Sequence, residues 1–175
     1  MSHYDWAAEF ENAYQAAMAR YRAGSRKPTL LFTVDEQEQL ARIGASSQEI
    51  FDFIEDYCQG SEPAFADVLL VTAVRREFFL REQDGKTSVK RTSMTNLPSK
   101  HAAIDDIAWL PRIIAKARAK LRGEMPPDLM FLCGGDRPFL KSVNVSPADF
   151  LRVVWAAGLD ETRVVNYVKA QMKIR

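Results

Sequence analysis

The sequence predicts a mainly α protein with one small β-hairpin, built from two related helical units. Three observations predict it. Apolar residues recur at helical spacing in segments that end on glycine. One Asp-Gly pair stands between two β-prone runs. The helical signals of the first half return, in the same order, 100 residues later.

The first helix is expected over roughly residues 5 to 23, where Trp6, Phe10, Ala13, Tyr14, Ala17 and Tyr21 make one apolar stripe and Gly24 stops it. Thr29 to Thr33 reads as a short apolar run, extended or buried. Asp35 then opens a short helix through Leu40 and Ile43 that Gly44 ends. Ser46-Ser47-Gln48-Glu49 fits a capping box, with the Ser46 hydroxyl accepting from the amide three residues on and Glu49 reaching back. The helix that follows carries Ile50, Phe51, Phe53, Ile54 and Tyr57 up to Gly60, and Ser61 is placed to cap another through Phe65, Leu69 and Val74.

Residues 76 to 94 change character. Phe78 to Leu80 precede Gln83-Asp84-Gly85-Lys86, and Thr87, Val89 and Thr92 follow. Asp-Gly suits a type I′ turn, whose two central residues take positive φ, so a hairpin is expected here. A longer helix running on from Val68 is the alternative. Asn96 to Lys100 is a loop. Pro111 fits the first turn of a helix, Ile113, Ile114, Ala117 and Leu121 form its buried stripe, and Gly123 with Pro126-Pro127 closes it. Leu129 to Leu132 is short and apolar, Asp136 is expected to cap a helix with Phe139, Leu140 and Val143, and Ser146 opens one with Phe150, Leu151, Val154 and Trp155. Asp160 caps the last helix, with Val164, Val165 and Val168 inside. The organisation expected is a first helical unit over 1–74, a hairpin and loop over 75–100 and a second unit over 101–175, in one compact globular domain.

The repeat needs no gap. Ala17, Ala19, Arg22, Leu40 and Ser46 meet Ala117, Ala119, Arg122, Leu140 and Ser146. Conservative pairs fill the register, among them Phe10 with Leu110, Arg20 with Lys120, Ile43 with Val143 and Ile54 with Val154. A duplicated unit would let two small modules each supply a face that one alone cannot bury.

Composition narrows the function classes. Of 175 residues, 47% are hydrophobic and 27% charged, as in an ordinary globular protein. The longest apolar runs, such as Val68 to Val71, are too short to cross a bilayer, so no membrane association is expected. Met1 to Trp6 carries no basic start followed by an apolar stretch, so no secretory signal is expected. Cys58 and Cys133 lack a CxxC partner, and His3 and His101 form no HExxH pair. No metal and no cofactor are therefore expected, and two reduced thiols fit a cytoplasmic protein. A net charge of +1 argues against a nucleic-acid partner. Yet charge is uneven: acids crowd residues 34 to 67, whereas Arg112, Lys116, Arg118, Lys120 and Arg122 share one helix with no acid. That helix reads as a solvated face, as a partner for the acidic unit within one chain or across a dimer, or, least well supported, as a phosphate-binding face.

The second half resembles a known family. Trp109-Leu110-Pro111-Arg112-Ile113-Ile114 up to Leu121-Arg122-Gly123, then Cys133-Gly134-Gly135-Asp136-Arg137-Pro138-Phe139, then Ser146 to Val154, and an end reading Asp160-Glu161 to Tyr167-Val168 are similar to the bacterial family labelled "domain of unknown function 5069". The resemblance spans roughly residues 107 to 170 and is weaker over the first half, where Val34-Asp35-Glu36 stands in place of the Cys-Gly-Gly turn. It implies no reaction.

Cys133 to Arg137 is the most unusual stretch. Two glycines before a helix let backbone amides converge on an anion, and a cysteine there can act as a nucleophile. Against both, Asp136 repels a phosphate, and a tight turn beside a buried thiol explains the same residues. The candidate ligand-binding set is Trp109, Arg112, Cys133, Gly134, Gly135, Asp136 and Arg137. The function read from the residues is a non-catalytic binding or protein-interaction domain, with an unknown protein partner or self-association. The alternatives are a binder of a small anionic ligand, or a small enzyme, working through this turn, and catalysis stays open.

Overall fold

The computed structural model describes residues 4–174. Among them it contains nine α-helices, one 3-10 turn and one two-stranded antiparallel ribbon. The described chain divides into two compact units, one ending at Thr87 and the other beginning at Ser88.

The first unit is wholly helical. Helix α1 (Trp6–Arg22) buries Phe10, Ala13, Tyr14, Ala17, Met18 and Tyr21, the stripe its spacing predicts. The run at residues 29 to 33 is helical rather than extended at its start: Pro28 opens the one-turn α2 (Pro28–Leu31), whose Leu31 is buried. Thr33 then starts α3 (Val34–Arg42) with a reciprocal capping box, its hydroxyl accepting from the Glu36 amide and the Glu36 carboxylate accepting from the Thr33 amide. Ser46 caps α4 (Ser47–Gly60) through the Glu49 amide. Ser61 caps nothing at its own C-terminal side. It takes φ +60° and closes α4, and α5 (Phe65–Arg81) begins after Ala64. Helix α1 packs on α2, α3 and α4, and α2 on α4.

The hairpin expected around Asp84-Gly85 is not there. Helix α5 runs on to Arg81, as the alternative reading had it, because Val68, Val71, Val74 and Phe79 form one buried helical face. Asp84 and Gly85 do adopt the positive φ their chemistry allows, +50° and +70°. They use it to turn the chain after the helix, the Gly85 amide donating to the Phe79 carbonyl. The ribbon lies in the second unit instead. Ala103–Ile104 (β1) pairs with Ile107–Ala108 (β2). Asp105 and Asp106 make the turn between them, with φ +50° and +64°. Asp tolerates the left-handed region well enough to build the turn that Asp-Gly builds elsewhere.

Helix α6 (Leu110–Arg122) contacts β1 and packs on α8 (Pro147–Ala157), which packs in turn on α9 (Glu161–Met172). The short α7 (Asp136–Ser142) precedes α8. Gly123 closes α6 at φ +67°, Ser146 caps α8 through the Asp149 amide, and Asp160 caps α9 through the Thr162 amide.

Corresponding positions in the two units share burial and backbone detail. Phe10 and Leu110, Ala17 and Ala117, Leu40 and Leu140, Ile54 and Val154 are all buried. The Leu40 carbonyl accepts from the Ala45 amide at 2.9 Å, and the Leu140 carbonyl from the Val145 amide at 3.0 Å. Between them Gly44 and Asn144 both take the left-handed conformation, at φ +71° and +57°. A β-carbon on Gly44 would lie 2.6 Å from the Phe79 ring, so a neighbour binds that position to glycine.

Candidate functional site

The polar centre of the second unit is the Asp136 carboxylate, which is fully buried. One oxygen, Oδ1, accepts from Trp109 Nε1 at 3.0 Å. The other, Oδ2, accepts from the Leu132 amide at 2.9 Å and from the Lys116 ammonium, itself buried. Lys116 Nζ also donates to Cys133 Sγ at 3.2 Å. Charge-assisted bonds of this kind satisfy a carboxylate that burial would otherwise penalise by several kcal/mol, on the order of its desolvation cost.

Two backbone anomalies meet at this carboxylate. Trp109 and Leu132 both have positive φ, +71° and +72°, although neither is glycine. Such conformations persist only where the surroundings over-determine them. Asp136 supplies that constraint twice, through the indole of one residue and the amide of the other. The indole in turn lies on Gly135. A β-carbon there would sit 2.5 Å from the Trp109 ring, which explains the second glycine of the turn by close approach rather than by backbone freedom. Asp136 is the first residue of α7 and does not cap it in the ordinary way; Gly135 is the cap residue and the carboxylate reaches back past it.

Of the residues expected from the sequence, Trp109, Cys133, Gly135 and Asp136 are brought together. Gly134 is exposed, and Arg137 holds the same turn by donating to the Leu132 carbonyl at 3.0 Å. Arg112 stands apart, its guanidinium donating to the Pro98 carbonyl at 2.8 Å. Cys133 is half-buried. His101 is exposed, and His3 lies outside the described residues.

Sequence reading missed Lys116 and Lys120 as interior groups, because it placed them with Arg112 on one basic face. Both are buried, so the stripe is no charged surface. Arg118 bonds Glu161 at 2.7 Å and Arg122 bonds Glu124 at 2.7 Å, both within the second unit. Burial pushes the Lys120 ammonium down to about 7. An ungapped shift of 100 residues sets Lys120 and Asp136 against Arg20 and Glu36, which are themselves an ion pair, at 2.6 and 3.0 Å, whereas Asp136 pairs with Lys116.

With the fold and the cluster in view, the family comparison falls on the second unit. Residues 94–175 match the DUF5069 family model, described as a domain of unknown function. The DUF5069 segment begins at the 3-10 turn Met94–Asn96 and takes in the ribbon, Trp109, Lys116 and the Cys133–Arg137 turn. Helices α1 to α5 lie outside the DUF5069 match. No curated protein and no solved structure matches the chain. Among the described residues no group of three or more His, Cys, Asp or Glu is placed to hold a metal ion. No helix of the described residues is long and apolar enough to cross a membrane.

Proposed function

We propose that the protein is a non-catalytic interaction module of a bacterial cytoplasmic protein, made of two copies of one helical unit. The observation that carries this reading is the occupancy of Asp136. Both of its oxygens are engaged, by Trp109, Lys116 and Leu132, so the constellation that most resembles a catalytic centre is spent on holding a turn. The duplication is supported by the shared register of buried residues, left-handed positions and Ser caps at Ser46 and Ser146. The compartment is supported by the two free thiols.

A protein partner finds apolar surface on the first unit. Leu30 on α2 and Val34, the first residue of α3, are 63% and 71% exposed. An apolar patch left in water is a feature of interaction sites. The test is cross-linked capture from cells of the source organism, comparing the wild type with a Leu30→Lys/Val34→Lys variant of equal stability. A defined protein bound by the wild type and lost from the variant supports the reading. Identical capture by both, with the wild type a monomer at all concentrations, contradicts it.

A second reading is favoured by one distance. The Lys116 ammonium donates to the half-buried Cys133 sulfur at 3.2 Å, which sets a cation beside a thiol. If Cys133 in native buffer alkylates faster than glutathione at the same pH, the thiol reading takes first place. A rate at or below that of glutathione leaves Cys133 as part of the turn.

A further inference from the structure

The first unit contains a buried cation that its own side chains do not neutralise. Arg75, on α5, is 1% exposed. Its Nη1 donates to Gln83 Oε1 at 2.8 Å, and its guanidinium carbon stands 5.1 Å from the centroid of the Phe79 ring. Those are a neutral amide and a quadrupole. Among the described residues no carboxylate forms an ion pair with it, and its buried Nε has no hydrogen-bond partner. One turn back on the same face, Thr72 is fully buried and its hydroxyl also lacks a partner. Burial pulls the guanidinium down to about 10, which still leaves it charged at neutral pH.

Such an arrangement is costly as it stands. A buried charge is ordinarily paired, and one left without its opposite is among the most destabilising features a fold can carry. The pattern of what is used and what is left is specific. Gln83 takes Nη1, which leaves the edge of the fork that includes Nε. An arginine fork grips a carboxylate or a phosphate with two parallel N–H···O bonds along one edge. The Thr72 hydroxyl, at i−3, adds a neutral donor on the same face of the helix.

We propose that Arg75 and Thr72 form a binding site for a small oxyanion, gripped side-on by the Nε edge of the guanidinium and held by the threonine hydroxyl. Gln83 orients the fork from its other edge, and Phe79 backs the guanidinium. This site belongs to the first unit and is independent of the Asp136 cluster.

The direct test uses the full chain, uniformly labelled with nitrogen-15, and follows the Arg75 Nε–H resonance. Sodium phosphate and sodium acetate are titrated separately at constant ionic strength set with sodium chloride. The proposal expects a saturating downfield shift with at least one of them, and the responding salt tells a phosphate-bearing from a carboxylate-bearing ligand. The same salt should raise Tm saturably in the wild type. It should do so much less in Thr72→Val and not at all in Arg75→Lys, which keeps the charge but removes the fork. Arg75→Met should be at least as stable as wild type in chloride alone, because it removes the uncompensated charge. An Nε–H resonance that moves with neither salt overturns the proposal, even if every variant fails to fold. So does an equal Tm response in wild type and Thr72→Val.

Discussion

Each unit holds an ion pair between a basic residue of a long helix and an acid of a short one, the first in partial contact with water and the second in the dry. In the first unit Arg20 of α1 meets Glu36 of α3, with side chains 34% and 14% exposed. In the second, the register places Lys120 and Asp136 at those positions, and both are buried, with Lys116 one turn earlier taking the carboxylate. Glu36 and Asp136 each also reach back to an amide before their helix, those of Thr33 and Leu132. What differs is the indole. Trp109 donates to the second carboxylate and lies against Gly135. The comparison shows that a motif worth little in water becomes the organising centre of a unit once it is buried and its carboxylate is shared with an indole and a backbone amide.

The largest effect should come from breaking the buried pair. Asp136→Ala leaves an ammonium, an indole N–H and a backbone amide without their acceptor. It should cost about 3–5 kcal/mol, the usual penalty for stranding one partner of a buried pair. Against a total stability of roughly 5–15 kcal/mol, that is enough to leave the second unit partly unfolded, and urea denaturation followed by far-UV circular dichroism will measure it. The corresponding Glu36→Ala should cost only about 1 kcal/mol, for an exposed pair and one cap.

Next in size is the contact between the indole and Gly135. Gly135→Ala puts a methyl group where the Trp109 ring lies, 2.5 Å away, and overpacking of this kind costs about 1–3 kcal/mol. A near-neutral Gly135→Ala would mean that the indole moves freely, and its contact with Gly135 would lose its place in the comparison. Trp109 fluorescence is not a clean probe in the presence of Trp6 and Trp155, so the readout is again the denaturation midpoint.

The smallest effect is the pH response of Lys120. Its folded value, about 7, lies below the ordinary lysine value of 10.5. Below pH 7 both folded and unfolded chains bind the proton, and the folded chain carries the full burial cost. Between about pH 7 and 10 the unfolded chain holds one more proton than the folded chain, so stability rises with pH. Tm should therefore climb across that window in the wild type and climb less in Lys120→Met. A fall in both, or the same slope in both, would remove Lys120 from the interior account.

Much of this was legible in the residues. The helices and their apolar stripes followed from spacing, and Ser46, Ser146 and Asp160 were readable as caps because a hydroxyl or carboxylate before an apolar-periodic run has few other uses. The turn Cys133 to Arg137 stood out as unusual, and it holds the buried Asp136. The ribbon was misplaced because Asp84-Gly85 and Asp105-Asp106 offer the same left-handed chemistry, and the long buried face of α5 overrode the first. The lysines were misread because a sequence shows a charge but not its burial. Lys116 becomes internal only when Asp136, distant in the chain, folds back on α6. Arg75 was equally silent: nothing in the order of residues around it announces a buried guanidinium.

The account stands on the contrast between the two pairs, and a double-mutant cycle on each measures it most directly. One cycle combines Lys116→Met with Asp136→Asn, the other Arg20→Met with Glu36→Gln, with stability from urea denaturation in each case. The coupling energy should reach about 2–3 kcal/mol for Lys116 and Asp136, at the top of the range for residues in contact, and stay at about 0.2–1 kcal/mol for Arg20 and Glu36. Equal coupling in the two cycles would contradict the account, because burial would then make no difference to the pair.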